Sequence, residues 1–328
     1  MNIILKPPSL HGLAQYHGAS ILTQARISSC RYRDTDSGKR IAQLIVEDAS
    51  ATLPAVVSAE NLDWLDGFRL PCPAEVVARV HAFKSRVWLI IEALNPLALR
   101  SIESGAALLP RGRCPAAAHA ALDRLVTFEQ QLPGRLHIFL RNVLMDERIG
   151  PKLLDARASA GHHHAYKGGL LVHSTDMLEI AGTLAAQALP DEPLAGPLTQ
   201  LGYLLHDLGK IRTLGAEHCP RAFIRHELVN LMLLEPHLQA LSQQEPDSAA
   251  ALGYILDFVA TPPERRGYAR FLGAEIVVFL DQLSVAVSRG RSLTSLLGDT
   301  AESTSLAANG TSFDMTRPRR KVRGARLK

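Results

Sequence analysis

Cysteine is scarce in this chain. Its 328 residues hold four, Cys30, Cys72, Cys114 and Cys219, far apart and never as a Cys-x-x-Cys pair. That pattern excludes a thiolate zinc knuckle and a disulfide framework, and it fits a reducing compartment. Aromatic residues are also few, at 5% with two tryptophans, so a surface that stacks bases has few rings to draw on. No apolar run approaches the roughly 20 residues that cross a bilayer. Met1 to Leu10 lacks the charged-then-apolar layout of a signal peptide. The expectation is a soluble, cytoplasmic protein with no membrane partner. Internal repeats of solenoid length are missing too.

Acidic residues are missing from one end. From Arg317 the chain reads Arg-Pro-Arg-Arg-Lys-Val-Arg-Gly-Ala-Arg-Leu-Lys, seven cations with no carboxylate. Without them, the 36 Lys and Arg against 32 Asp and Glu become 29 against 32, so the net charge of +4 belongs to the tail. Such a block favours disorder and polyanionic partners. Arg319, Arg320 and Lys321 at its centre are therefore candidate nucleic-acid contacts, a merely solubilising tail being the other reading.

What is present is a chain long enough for two cores, with 47% apolar residues. Residues 1–14 read as an N-terminal arm and 15–100 as β-rich. Strands are expected at 20–27, 41–47, 51–58, 74–83 and 87–94, with a short helix at 61–68. Five strands with a small helix between the third and fourth is the order of an OB barrel; a generic five-stranded domain is the alternative. An OB groove holds single strands by stacking and positive charge. Here that role falls to Tyr32, Phe83 and Trp88 with Arg33 and Arg86, although each ring would serve packing equally well.

Beyond Ser101 the pattern turns helical. Residues 101–150 read as a linker and helical lead-in, with helices at 116–131 and 136–144. Residues 151–290 read as an all-helical domain, with helices at 151–157, 169–189, 196–208, 220–242, 248–260 and 269–288. Residues 291–328 form the expected disordered basic tail. The fold class is therefore two-domain, a β domain followed by an all-α one.

The helical part carries the chemistry. His206-Asp207 closes an apolar stretch, Leu204-Leu205-His206-Asp207-Leu208-Gly209-Lys210. Near a helix end, adjacent side chains can turn toward one centre. His173 sits in an apolar helix opened by Gly168-Gly169, where a lone histidine would more often be a satisfied core residue. Asp281 interrupts Ile276-Val277-Val278-Phe279-Leu280, and a carboxylate there is costly to bury unless it is paired or bound to a metal. Together His173, His206, Asp207 and Asp281 offer two imidazoles and two carboxylates on three helices. That donor set suits Mn, Fe, Co, Ni or Zn with open positions for water and phosphate oxygens. His164, within His162-His163-His164, and His226 are candidates for ligand or acid–base duty, against readings as a polar turn and a helix cap. Lys210 could reach a substrate phosphate or simply favour a helix end.

The order His, His-Asp, distant Asp resembles the HD superfamily of metal-dependent phosphohydrolases. The run His163-His164-Ala165-Tyr166-Lys167-Gly168-Gly169-Leu170-Leu171-Val172-His173, followed by Leu205-His206-Asp207-Leu208-Gly209-Lys210, resembles more closely the YhaM-type 3′–5′ exoribonucleases. Those enzymes join an N-terminal OB domain to an HD domain. HD-type conjugative relaxases carry a similar double-His, Gly-Gly-Leu segment. The resemblance implies a metal-dependent phosphodiesterase on single-stranded RNA or DNA. A 3′–5′ exoribonuclease comes first, then a relaxase-like DNA nickase, a nucleotide phosphohydrolase, or a binding protein with a degenerate site. It implies a divalent cofactor, Mn before Co, Fe, Ni or Mg, held by His173, His206, Asp207 and Asp281, with Lys210 and His164 or His226 handling the phosphate or the leaving oxygen. One departure stands out. Residues 259–267 carry no histidine where the YhaM-type enzymes have a tandem pair, so one tight metal, with or without a weak second, is expected. Oligomeric state is not indicated.

Overall fold

The computed structural model describes residues 4–161, 163–214, 224–288 and 290. His162, His218, Cys219 and the basic tail with Arg319, Arg320 and Lys321 lie outside the described residues. Alternating apolar residues build β2 (Ser20–Asp34), β3 (Arg40–Glu47), β4 (Thr52–Val57), β5 (Cys72–Phe83) and β6 (Arg86–Pro96), and a two-residue β1 (Ile4–Leu5) runs parallel to the start of β2. β2 is long enough to pair twice, through its first half with β5 and through its second with β3. A register shift between Ile27 and Ser29 marks the bend between the two halves. Antiparallel β3–β4 and β5–β6 pairs follow, and a short parallel β4–β6 ladder at Ala55↔Leu89 and Val56↔Ile90 closes the barrel. This is the OB order. Ile21, Leu44, Val57, Val76 and Leu89 fill its interior and form a core of their own. Between β4 and β5 the short helical piece expected at 61–68 is a 3-10 helix over Ala59–Leu65, interrupted where Asn61 leaves helical geometry.

Helices follow in the order α1 (His119–Gln131), α2 (Gly134–Met145), α3 (Gly150–Leu153), α4 (Gly169–Asp176), α5 (Leu178–Ala188), α6 (Ala195–Leu205), α7 (Lys210–Thr213), α8 (His226–Ser242), α9 (Pro246–Ala260) and α10 (Leu272–Ser288). They share one apolar core running from Leu122 and Leu140 to Leu204, Leu234 and Leu280. The helix expected over 169–189 is two helices, separated at Met177 (φ −113°, ψ 12°). Apolar periodicity continues through that point. The polar run Ser174-Thr175-Asp176 comes just before it: the Thr175 hydroxyl donates back to the Leu171 carbonyl at 2.9 Å, and Asp176 accepts from Tyr203 and Ser284 on other helices.

The segment expected as a linker is packed. Glu129, fully buried, accepts hydrogen bonds from the backbone N–H groups of Gly105 (2.9 Å) and Ala106 (2.8 Å) and from the Ser104 hydroxyl. Ala49 N–H donates to the Ala107 carbonyl at 2.8 Å, and the Arg111 guanidinium to the Ala49 carbonyl at 2.6 Å. The buried guanidinium of Arg26 on β2 reaches both carboxylate oxygens of Glu147, just past α2, at 2.6 Å. Barrel and helices thus lie in one compact unit, Met1–Val285.

Candidate metal centre

The last turn of α4, the C-terminal end of α6 and the interior of α10 meet at a single point. His173 lies on α4, whose start depends on two glycines. Gly168 adopts φ 81°, and a Cβ on Gly169 would sit 2.1 Å from the His164 carbonyl oxygen, so only glycine fits that approach. His206 caps α6 and Asp207 follows it. Asp281 projects from α10. One ligand atom from each of His173, His206, Asp207 and Asp281 lies within 4.8 Å of all the others. His173 Nε2 is 3.3 Å from Asp207 Oδ2 and 3.3 Å from Asp281 Oδ1; His206 Nε2 is 3.4 Å and 3.6 Å from the same two atoms. Neither Nε2 makes a hydrogen bond, although both are buried.

That pair of orphaned nitrogens is the informative detail. A buried imidazole nitrogen left unpaired is costly, and both point into a space walled by carboxylate oxygens. Each ring's other nitrogen is engaged. His206 Nδ1 lies 2.6 Å from the Tyr203 carbonyl, which can only accept, so Nδ1 carries a hydrogen and, in the neutral ring, Nε2 the lone pair. His173 Nδ1 faces Ser284 Oγ at 3.2 Å. Two lone pairs and two carboxylates converging in this way fit a divalent cation.

The local electrostatics agree. Burial alone would lower the pKa of His206, yet the charges of Asp207 and Asp281 and their contacts raise it to about 10. His173 is raised for the same reason, against the effect of burial and the His206 charge. Burial would raise both carboxylic acids, but the imidazoles hold Asp207 and Asp281 well below the usual carboxylate range. The pocket therefore demands positive charge, which protons supply when no metal does.

Around this cluster, His226 at the start of α8 places Nε2 3.1 Å from Asp207 Oδ1. Lys210 donates to Asp207 Oδ2, so its ammonium is engaged with that carboxylate rather than extended toward solvent. His164 Nδ1 pairs with the Tyr166 hydroxyl at 3.1 Å, and its ring lies 5.9 Å from that of His173. His163, which sequence reasoning left unassigned, has its ring 5.7 Å from His173 and a buried Nδ1 with no partner. Burial, then the neighbouring His173, pushes both of these histidines toward the neutral form. Asp176, Tyr203, Ser284 and Asn230 were missed as well. Asn230 Nδ2 donates to the His206 carbonyl at 2.9 Å. A signal existed for the first three. Asp176 follows His173 by three residues, Tyr203 precedes His206 by three, and Ser284 follows Asp281 by three, the spacing that puts side chains on one helix face.

On the barrel the candidates separate. Tyr32 is 49% and Phe83 65% exposed, on different hairpins, with the Arg40 guanidinium 4.6 Å and the Lys84 ammonium 5.5 Å from their respective ring centres. Arg33 and Arg86 are exposed beside them. Trp88 is half-buried and stacks on His81, its cross-strand partner, at 5.6 Å.

No family model matches this chain. The 3′-5′ exoribonuclease YhaM of Bacillus pumilus (strain SAFR-032) is 24% identical over 180 residues, covering 54% of this chain and 55% of that protein. The chain thus matches about half the length of that curated relative. Among solved structures, a replication factor A related protein from Methanobacterium thermoautotrophicum is 24% identical, covering 25% of this chain and 83% of its own, at a TM-score of 0.21. The second OB-fold domain of replication protein A from Methanococcus maripaludis is 15% identical, covering 26% and 91%, at a TM-score of 0.22. The assignment of the barrel rests on its strand pairing and not on these scores.

Proposed function

We propose that this protein is a metal-dependent phosphodiesterase acting on single-stranded nucleic acid, most specifically a 3′–5′ exoribonuclease, with an HD-type centre in its helical part. The observation that carries the reading is the convergence of two unpaired imidazole nitrogens and two carboxylates within 4.8 Å. The similarity to a YhaM exoribonuclease supports the choice of substrate. In this reading residues 15–100 bind the strand and 151–290 hold the hydrolytic centre. His173, His206, Asp207 and Asp281 hold the cation, Mn²⁺ first. Bound there, a divalent ion supplies Lewis acidity toward a phosphoryl oxygen and lowers the pKa of water.

The chain's own residues do the rest. His226 lies on the open side of Asp207, where it can hold a proton for the departing oxygen. Lys210 exchanges its contact with Asp207 for the incoming phosphate. His164, kept neutral, lines the approach. Tyr32, Arg33, Phe83 and Arg86 take the strand by stacking and charge, and Arg319, Arg320 and Lys321 add unspecific phosphate contacts. Trp88, stacked on His81, shapes the barrel wall and contributes less than the two exposed rings.

A second reading is a nucleic-acid-binding protein without turnover. It draws on the Lys210 ammonium on Asp207 Oδ2 and on the absence of histidine from 259–267. Incubating the protein with Mn²⁺ and RNA or DNA oligonucleotides labelled at the 5′ end separates the two. A ladder shortening from the 3′ end is the expected result. Intact oligonucleotides with every divalent metal, combined with binding that survives a joint His206→Ala and Asp207→Ala change, would establish the second reading. Nicking of a supercoiled plasmid without shortening of oligonucleotides would point to a relaxase-like enzyme.

A further inference from the structure

His173 contributes no surface to solvent, and its ring could in principle present either nitrogen to the centre. What selects the nitrogen is a chain of hydrogen bonds leading away from it. His173 Nδ1 lies 3.2 Å from Ser284 Oγ on α10. The Ser284 hydroxyl donates to Asp176 Oδ2 at 2.6 Å. The Tyr203 hydroxyl, on α6, donates to Asp176 Oδ1 at 2.6 Å and sits 3.1 Å from the His173 carbonyl oxygen. Ser284 has a single hydroxyl hydrogen. Asp176, acceptor-only when ionised, takes it, so Ser284 can only accept from the imidazole. A hydrogen of His173 must then sit on Nδ1, which in the neutral ring leaves the lone pair on Nε2, the nitrogen without a hydrogen-bond partner.

We propose that Asp176, acting through Ser284 and held by Tyr203, is the positioning residue of the metal centre: it fixes the tautomer and the orientation of His173. This rests on the metal reading above. The three helices α4, α6 and α10 each contribute one member, so the relay also locks the elements that carry His173, His206 and Asp281. Tyr203 serves twice, because its carbonyl fixes the tautomer of His206 at 2.6 Å while its hydroxyl anchors Asp176. A competing idea is that His164, His173 and Asp176, which also cluster, hold a second ion. The relay accounts for that cluster differently, since both Asp176 oxygens and His173 Nδ1 already have partners.

Cobalt(II) titration of the full chain tests the relay by affinity and by the visible absorption band, with a thermal melt of each metal-free variant as the control for folding. Ser284→Ala and Asp176→Asn are each expected to bind Co²⁺ roughly 10- to 100-fold more weakly, the usual cost of removing a histidine ligand's outer partner, and to shift the band. Ser284→Thr, which keeps the hydroxyl, should restore both. Should Ser284→Ala melt before titration, Asp176→Asn, with side-chain volume retained, gives the same comparison. The relay is overturned if wild type binds Co²⁺, Asp207→Ala does not, and both relay variants match wild type in affinity and spectrum. A wild type that binds no Co²⁺ or Mn²⁺ at all removes the metal reading, and the relay with it.

Discussion

Asp207 spends its two oxygens on different partners. Oδ2 faces His173, His206 and Lys210, and Oδ1 faces His226. Replacing it removes one negative charge from a cluster proposed to hold a cation, so the fold should tolerate the loss better than the metal site does. Asp207→Ala is expected to retain a cooperative melt and to lose the bound metal; equal metal content in variant and wild type, by elemental analysis, would exclude Asp207 as a ligand. Asp146 offers a different residue-scale test, away from this centre. Burial would raise its carboxyl, but hydrogen bonds from the Arg148 side chain and backbone, then from His237, and the Arg148 charge lower it to about 2. A carboxylate depressed in the folded state stabilises fully above its unfolded pKa of about 4 and loses that contribution as pH falls toward 2. Arg148 is half exposed, so the contribution is discounted to roughly 1–2 kcal/mol. Urea titrations between pH 2 and 5 should therefore show a flatter pH dependence for Asp146→Asn than for wild type.

At the scale of elements, the crossing of α7 and α8 is set by Gly209. A Cβ there would lie 1.8 Å from the His226 carbonyl oxygen and 2.8 Å from Asn230 N. Gly209→Ala must push α8 away, at roughly 3 kcal/mol by analogy with overpacked cores, and must lengthen the contact of His226 with Asp207. A denaturant midpoint unchanged from wild type would show that α8 yields freely. The strands and most helices were legible because alternation and apolar periodicity are local signals, and the His-Asp pair was legible because its two residues are neighbours. The break at Met177 was not, since the partners that hold Asp176, namely Tyr203 and Ser284, come from other helices. Nor was the packing of residues 101–118. It depends on a buried Glu129 carboxylate meeting backbone N–H groups more than twenty residues away, and a Pro- and Gly-containing stretch reads as a linker until that partner is known. The short helix expected at 61–68 lies at Ala59–Leu65, and its kink at Asn61 was not legible, because a break at a single residue leaves no trace in composition.

Across the whole molecule, charge is uneven, and the seven cations from Arg317 onward should act as a separable electrostatic device. Deleting residues 317–328 is expected to weaken nucleic-acid binding and reduce the log–log salt slope by roughly 0.7 for each lost phosphate contact, leaving turnover on a saturating short oligonucleotide unchanged. Equal slopes for the two proteins, measured at three salt concentrations, would mean that the tail makes no contact. The contacts that join barrel to helices have a consequence of another kind. Arg26 with Glu147, Ala49 with Ala107 and Arg111 with Ala49 link the barrel to the segments that follow it. If, as proposed, the barrel grips a strand that the helical centre trims, these links would hold the two at a fixed spacing. Digestion should slow abruptly at one oligonucleotide length, when the 5′ end leaves the barrel, and Arg26→Ala should blur that endpoint into a distribution visible on a sequencing gel.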